Sequence, residues 1–277
     1  MKLNDIINII EDIAPVNLKE GFDNVGLMVG DREKNITKIL LALDCTEEVI
    51  KEAKEMGAEL ILTHHPLLFR KPSTITTDTL LGRKIISLIK NDINLYSAHT
   101  NWDSVKGGLN DTLVEILGFN EGIIMDKSPV DSEAGIGRVV ELNKEMTVLE
   151  IINLIKSSLG VKNLRYAGDL NEVIKKVAIV NGSGQDFFGD AKKLGADLII
   201  TGDTTYHFVS DYKEMGLNIL DIGHFNSEWP VLIKVSEKVK EKLDSDVEFI
   251  VSKEAKDPFE FIWFFWYIIL QLKHNIG

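Results

Sequence analysis

Four of the six histidines follow directly on apolar runs: His64 and His65 after AELILT, His99 after INLYSA, and His224 after LNILDIG. Two of these runs continue alike, with a carboxylate four residues beyond the histidine: Asp103 after His99, and Glu228 after His224. A lone histidine at such a place is ordinarily a polar loop residue. Adjacent histidines together with two H-x-x-x-[DE] segments form a set of imidazole and carboxylate donors, and such donors suit Zn²⁺, Fe²⁺, Mn²⁺, Co²⁺ or Ni²⁺.

The pairing of His64 with His65 favours two ions over one. Neighbours in extended chain point in opposite directions, so the two imidazoles chelate one ion poorly but can each hold one. A carboxylate has two oxygens and can bridge. Glu228, on the longer arm, is the expected bridge, Asp103 a terminal or second bridging ligand, and His224 completes one shell. Five side chains for two ions leave open positions, the mark of a catalytic rather than a structural site. Ions roughly 3.5–4 Å apart would activate water and clamp a phosphate or carbonyl oxygen. His99 offers a further ligand nitrogen, a group that orients Asp103, or a receiver of substrate protons. In TGDTTYH, Asp203 and His207 stand where His64 and His65 stand earlier. His207 falls on an expected helix as a candidate proton shuttle, and Asp203 is either a cleft residue or a helix cap.

The elements that must position these residues alternate. Residues 2–14 have the apolar spacing of an amphipathic helix, ended by Pro15. ITKILLALD is a strand, and Thr46 caps a helix that runs to Gly57. AELILT is a second strand, and its order with the first implies a right-handed crossover and a parallel sheet. A helix over 80–90 leads to the strand INLYSAHT. The order returns as KKVAIVNGSG, DFFGDAKKLG, ADLIITGD, YHFVSDYKEMG and LNILDIGH, and GAELILT at 57–63 is echoed by GADLIIT at 195–201. The expected fold is therefore α/β: two similar lobes from an internal duplication, their strand ends facing a shared metal cleft. The lobes span residues 1–128 and 175–262, with a small αβ module at 129–174 between them. Gly182-Ser183-Gly184 reads as a tight turn or a phosphate cradle, and Arg70 with Lys71 as a solvated loop or an anion contact.

Bulk properties narrow the function. With 277 residues, 44% hydrophobic and 27% charged, the chain has the composition of an ordinary globular protein. A net charge of −12 argues against a nucleic-acid groove, which needs clustered cations. It leaves room for a nucleotide held through a metal ion. The lone Cys45 excludes an internal disulfide, fits a reducing, cytoplasmic compartment and reads as a small buried side chain. The N-terminus has no signal-peptide pattern. The ten-residue apolar run Phe261 to Leu270 is too short to span a membrane, which takes about 20 residues.

The segments FDNVGLMVG, LTHHPLLFRK, SAHTNWDSVKGGLND, VNGSGQDF, IITGDTTYHF and DIGHFNSE, in this order, resemble the Nif-three-like family of dinuclear metal-centre proteins, also described as GTP cyclohydrolase I type 2 homologues. The resemblance runs to about residue 262. It implies a two-lobed α/β fold, a dinuclear site with ligands at His64, His65, Asp103, His224 and Glu228, and a ring-shaped homohexamer. Trp102 stands where a smaller apolar residue is usual, and residues 263–277 form an atypical apolar tail. That tail reads as a product of read-through or a frameshift, or as a segment packing on a partner subunit. The expected activity is metal-dependent hydrolysis of a nucleotide-like or phosphorylated small molecule, in its specific version the opening of the imidazole ring of GTP. His99 or His207 would move protons. The rivals are a metal-binding regulatory protein and a phosphoesterase.

Overall fold

The structure is a computed structural model and describes residues 1–262; the apolar tail lies outside the described residues. The chain opens with helix α1 (Leu3–Ile13), followed by strands β1 (Gly26–Val29) and β2 (Lys38–Ala42), helix α2 (Glu47–Met56) and strand β3 (Leu60–Thr63). Helix α3 (Leu80–Lys90), strand β4 (Asn94–Ser97) and helices α4 (Thr100–Ser104) and α5 (Leu109–Ile116) follow. Strands β5 (Ile123–Lys127) and β6 (Gly135–Thr147), helix α6 (Val148–Leu159), and strands β7 (Arg165–Ala167) and β8 (Val173–Ser183) form the middle. The last part holds α7 (Phe188–Lys193), β9 (Leu198–Gly202), α8 (Tyr206–Glu214), β10 (Asn218–Asp221), α9 (His224–Lys240) and β11 (Glu248–Val251).

Two sheets result, in the orders β1-β4-β3-β2-β11 and β5-β6-β8-β9-β10-β7. The local signals expected for α2 act, and α6 carries one beyond those expected. Thr46 caps α2 and Gly57 closes it in the left-handed conformation, while Thr147 and Glu150 form a capping box on α6. Strand periodicity sorts side chains onto two faces. In the first sheet Ile39, Leu41, Leu60, Leu62 and Tyr96 face a central core, and Leu40, Ala42, Ile61 and Leu95 face α2 and α3. In the second, Val177, Ile179, Leu198 and Ile200 enter that same central core, while Ala178, Ile199 and Ile219 pack with Phe188 of α7. The central core, with α1, α5, α6 and α9 contributing, joins the two sheets. Cys45 is buried as expected, and burial pushes its thiol up to about 12.

Two parts of the expected organisation differ. Residues 129–174 do not stand apart: β6 pairs antiparallel with β8, and β7 pairs antiparallel with β10, so both belong to the second sheet. Strand β11, near the end of the expected second lobe, pairs in parallel with β2 of the first sheet. In each case an added strand covers an edge that would otherwise present unpaired backbone groups.

The units β1-β4-β3-β2 and β7-β10-β9-β8 share order and register, Leu60 pairing with Asn94 as Leu198 pairs with Asn218. They also share a clamp. The buried Asn94 amide donates to the Glu59 carbonyl (2.7 Å) and its Oδ1 accepts the Asp31 N–H (2.9 Å). Asn218 does the same toward Asp197 (3.1 Å) and Asp169 (3.2 Å). Removing one such amide takes a hydrogen-bond partner from two backbone groups. Asn94→Ala should therefore lower the unfolding free energy by about 2 kcal/mol, read as a drop in the urea midpoint; an unchanged midpoint would contradict the clamp.

Candidate metal centre

The five expected residues meet between the two sheets. His64 and His65 leave the end of β3, Asp103 lies on α4 just beyond β4, and His224 and Glu228 lie one turn apart on α9. His64 is fully buried. Its Nδ1 donates to the Ala98 carbonyl (2.9 Å). A carbonyl can only accept, so that nitrogen carries the proton and Nε2 of the neutral ring presents a lone pair. This Nε2 lies 3.7 Å from Asp103 Oδ1 and 3.8 Å from Glu228 Oε1, and it has no hydrogen-bond partner. Asp103 Oδ1 and Glu228 Oε2 are likewise buried without a partner.

On the other side of Glu228, Oε2 lies 3.1 Å from His65 Nε2 and 2.9 Å from His224 Nε2, contacts that lack hydrogen-bond angles. The two Nε2 atoms are 3.1 Å apart. The opposite sides of each ring are held by carboxylates: His65 Nδ1 by Asp44 (2.9 Å) and His224 Nδ1 by Asp203 (2.8 Å). His99 joins from a third direction, its ring 5.0 Å from that of His64 and 5.5 Å from that of His65, with Nδ1 held by Asp23 (2.9 Å). Nδ1 donated to a carboxylate or carbonyl, with Nε2 aimed inward, is how proteins prepare histidines for a metal.

Two groups of ligand atoms thus lie within a few ångströms of one another: His65, His224 and Glu228, and His64, His65 and His99. Buried polar atoms without a hydrogen-bond partner are costly, and divalent cations held here would satisfy His64 Nε2, Asp103 Oδ1 and Glu228 Oε2. The residues present fit the metal that the sequence implied.

The ionisation pattern agrees. Burial holds His64 down at about 3, so it stays neutral. Burial opposes the charged form of His65, but Asp44 and Glu228 override it and raise the ring to about 10. His224 rises to about 9 against the same penalty, chiefly through Glu228. Glu228 is held well below the usual range although burial works against its charge, because His224, His64 and His65 surround it. Burial raises Asp103 to about 7.

Glycines make the approach possible. Gly182, at φ +61°, ends β8 against Glu228; a Cβ there would lie 2.1 Å from Oε1. Its N–H donates to Ser227 Oγ (3.0 Å). Gly184 is similarly crowded by Thr201. The GSG segment is therefore the irregular end of β8, pressed against the site, rather than a separate turn.

Of the sequence candidates, His64, His65, His99, Asp103, His224 and Glu228 come together. His207 does not join them: it is exposed on the first turn of α8, its ring against Tyr206. Register puts Gly202 and Asp203, rather than Asp203 and His207, at the places in the second unit that His64 and His65 hold in the first. Arg70 and Lys71 are exposed. Asp23 and Asp44 were missed as partners of the cluster. Their only signal was position, Asp44 closing the LALD run and Asp23 lying within FDN.

This is an α/β protein of two sheets with a histidine–carboxylate centre where the sheets meet. A family model for Duf34/NIF3 (NGG1p interacting factor 3) matches residues 1–258, and the chain belongs to that family. It is 98% identical over 262 residues to a "GTP cyclohydrolase 1 type 2 homolog" of Clostridium perfringens, covering 95% of this chain and 100% of that protein. A protein of the same description from Clostridium acetobutylicum is 54% identical, with 94% and 99% covered. Among solved structures, a Bacillus cereus protein related to NIF3 superposes with a TM-score of 0.87 at 29% identity, over 95% of this chain and 99% of that one. No helix among the described residues is long and apolar enough to cross a membrane.

Two outcomes follow from the geometry. Gly182→Ala should push Glu228 aside and lower the metal bound per chain, measured by elemental analysis, with the circular dichroism spectrum unchanged; full metal content would refute the close approach. Metal affinity should also rise with pH. His65 and His224 carry protons below about 9 in the metal-free protein, and a cation must displace them, so binding releases protons and weakens as pH falls. Calorimetry in buffers of different ionisation enthalpy reads this directly, and proton-neutral binding at pH 7 would contradict it.

Proposed function

We propose that the chain is a metal-dependent hydrolase of a nucleotide-like small molecule, with two divalent ions held by His64, His65, Asp103, His224 and Glu228. The observation that carries the reading is the division of Glu228: Oε1 faces His64, and Oε2 faces His65 and His224. A carboxylate placed so would be able to hold one ion with each oxygen. The description of the relatives as GTP cyclohydrolase 1 type 2 homologues supports a nucleotide substrate.

When bound, such ions polarise a substrate oxygen and acidify water. The remaining work falls to the chain. His64 and Glu228 close the buried side of the site and keep water from it, while the His65 and His224 side chains are 22% and 30% exposed and leave a face open to substrate. His99, partly exposed, is locked at Nδ1 by Asp23, so Nε2 is free to take or return a proton. Asp23 accepts from Thr100 as well, which fixes the angle of that ring.

Metal-loaded protein should release formate from GTP. Glu228→Gln should abolish the release, and Asp44→Asn, which spares the ligands, should lower it by about 10–100-fold. Phosphate release instead would redirect the reading to a phosphoesterase. No turnover over a metal-loaded nucleotide panel would overturn the hydrolase reading and leave a metal-binding regulatory protein.

A further inference from the structure

A cavity of about 390 Å³ lies along the edge strand β7, against α8, and reaches the carboxyl ends of β9 and β10. Its size falls in the ordinary range for small-molecule sites, and the carboxyl ends of strands are where open α/β sheets hold ligands. Among its walls are Tyr166 and Tyr206, 49% and 79% exposed, together with Arg165 and Lys213. Large aromatic rings are normally withdrawn from water, and two of them beside two cations make a surface suited to a flat ring that carries an anion.

The cavity is wired to the metal centre through two strand ends. Asp221, nearly buried, accepts from Arg165 and from the Thr204 hydroxyl (2.6 Å) and N–H (3.1 Å) through Oδ2. Its Oδ1 accepts the N–H of Gly223 (3.0 Å), the residue before His224. Thr204 in turn follows Asp203, which holds His224 Nδ1. Arg165 spends one nitrogen on Asp221 and keeps its other donors, so Asp221, Arg165 and Lys213 together offer a ligand one net positive charge. The surroundings of the metal centre are the reverse: Asp23, Asp44, Asp103, Asp203 and Glu228 crowd it, in a chain of net charge −12. An anionic substrate needs a cation away from these carboxylates, and Arg165 of β7 and Lys213 of α8 supply it beside the ends of β9 and β10.

The geometry points to this cavity as the recognition subsite for a nucleoside monophosphate unit, the ring lying on Tyr206 and Tyr166 and the phosphate meeting Lys213 and Arg165. The inference rests on the hydrolase reading for the ligand being a substrate, but its test is binding and does not use turnover. Metal-loaded protein is titrated calorimetrically with guanosine 5′-monophosphate, guanosine and inorganic phosphate, alongside Tyr206→Ala and Lys213→Ala, with metal content and sedimentation followed for each. Both variants should keep their metal and their assembly state. Tyr206→Ala should weaken the nucleotide and the nucleoside by roughly tenfold or more, the loss expected when a stacking ring is removed, and leave phosphate unaffected. Lys213→Ala should weaken the nucleotide several-fold, more strongly at low salt, and leave guanosine unaffected. Unchanged nucleotide affinity in both variants, absence of binding by the parent protein, or a change of assembly state in Tyr206→Ala overturns the subsite. Binding that follows the expected pattern in a protein that turns nothing over overturns the hydrolase reading and leaves the subsite standing.

Discussion

A carboxylate with its two oxygens aimed at different groups of imidazole nitrogen is the point on which the molecule turns. Glu228 is 5% exposed, and the rings of His64, His65 and His224 stand around it. Without a cation, His65 and His224 must hold protons against the penalty of burial to neutralise it. A bound cation would take over that charge and leave the rings neutral, their Nε2 lone pairs free to ligate it. The surrounding fold keeps this arrangement from relaxing. Ser227 and Gly182 fix one side of Glu228, and the apolar residues Val231, Leu232 and Val235 on the following turns of α9 enter the central core. The helix cannot rotate to bury the carboxylate elsewhere without exposing them, at about 25 cal/mol for each Å² of apolar surface uncovered.

The centre also has a direction. His64 is sealed and neutral, His65 and His224 are partly open, and His99 stands at the side with its free nitrogen outward from Asp23. Every Nδ1 is spoken for, three by carboxylates and one by a carbonyl. Those partners come from separate segments of both sheets, so the tautomers of four rings are set by the tertiary fold rather than by local sequence. The acceptors of His64, His65 and His99 all come from the first sheet's strand ends, and the second sheet brings Asp203 together with His224 and Glu228. A single strand end could present His64 and His65, but not the acceptors that orient them.

Much of this was legible in the chain. Continuous apolar runs marked β2, β3, β4, β8, β9 and β10, and capping residues marked α2, because those signals are local. The five ligand candidates were legible because donor types recur at strand ends. Helix α9 was not read, although a histidine and a carboxylate four apart is the spacing of one helical face; the apolar strand ahead drew the reading toward a strand ending at His224, whereas β10 ends at Asp221. Asp23 and Asp44 escaped because their roles come from contacts 76 and 21 residues away. The edge strand β11 escaped for the same reason: its partner β2 lies some 200 residues earlier, and nothing in EFIV names it.

The two units are alike in register but unlike in what they carry, and the difference is forced by space. At the end of β3 the chain reads Thr63-His64-His65; at the matching place after β9 it reads Thr201-Gly202-Asp203. A second copy of the histidine pair would set a side chain at position 202, where even a Cβ would lie 2.7 Å from the His224 backbone nitrogen. The start of α9 would have to retreat, and with it His224 and Glu228. The unit that admits α9 must therefore give up its own imidazoles. It contributes instead the carboxylate of Asp203, which turns His224 toward the centre. A symmetric pair of lobes could hold two identical half-sites; this pair, by yielding at one position, builds a single shared one.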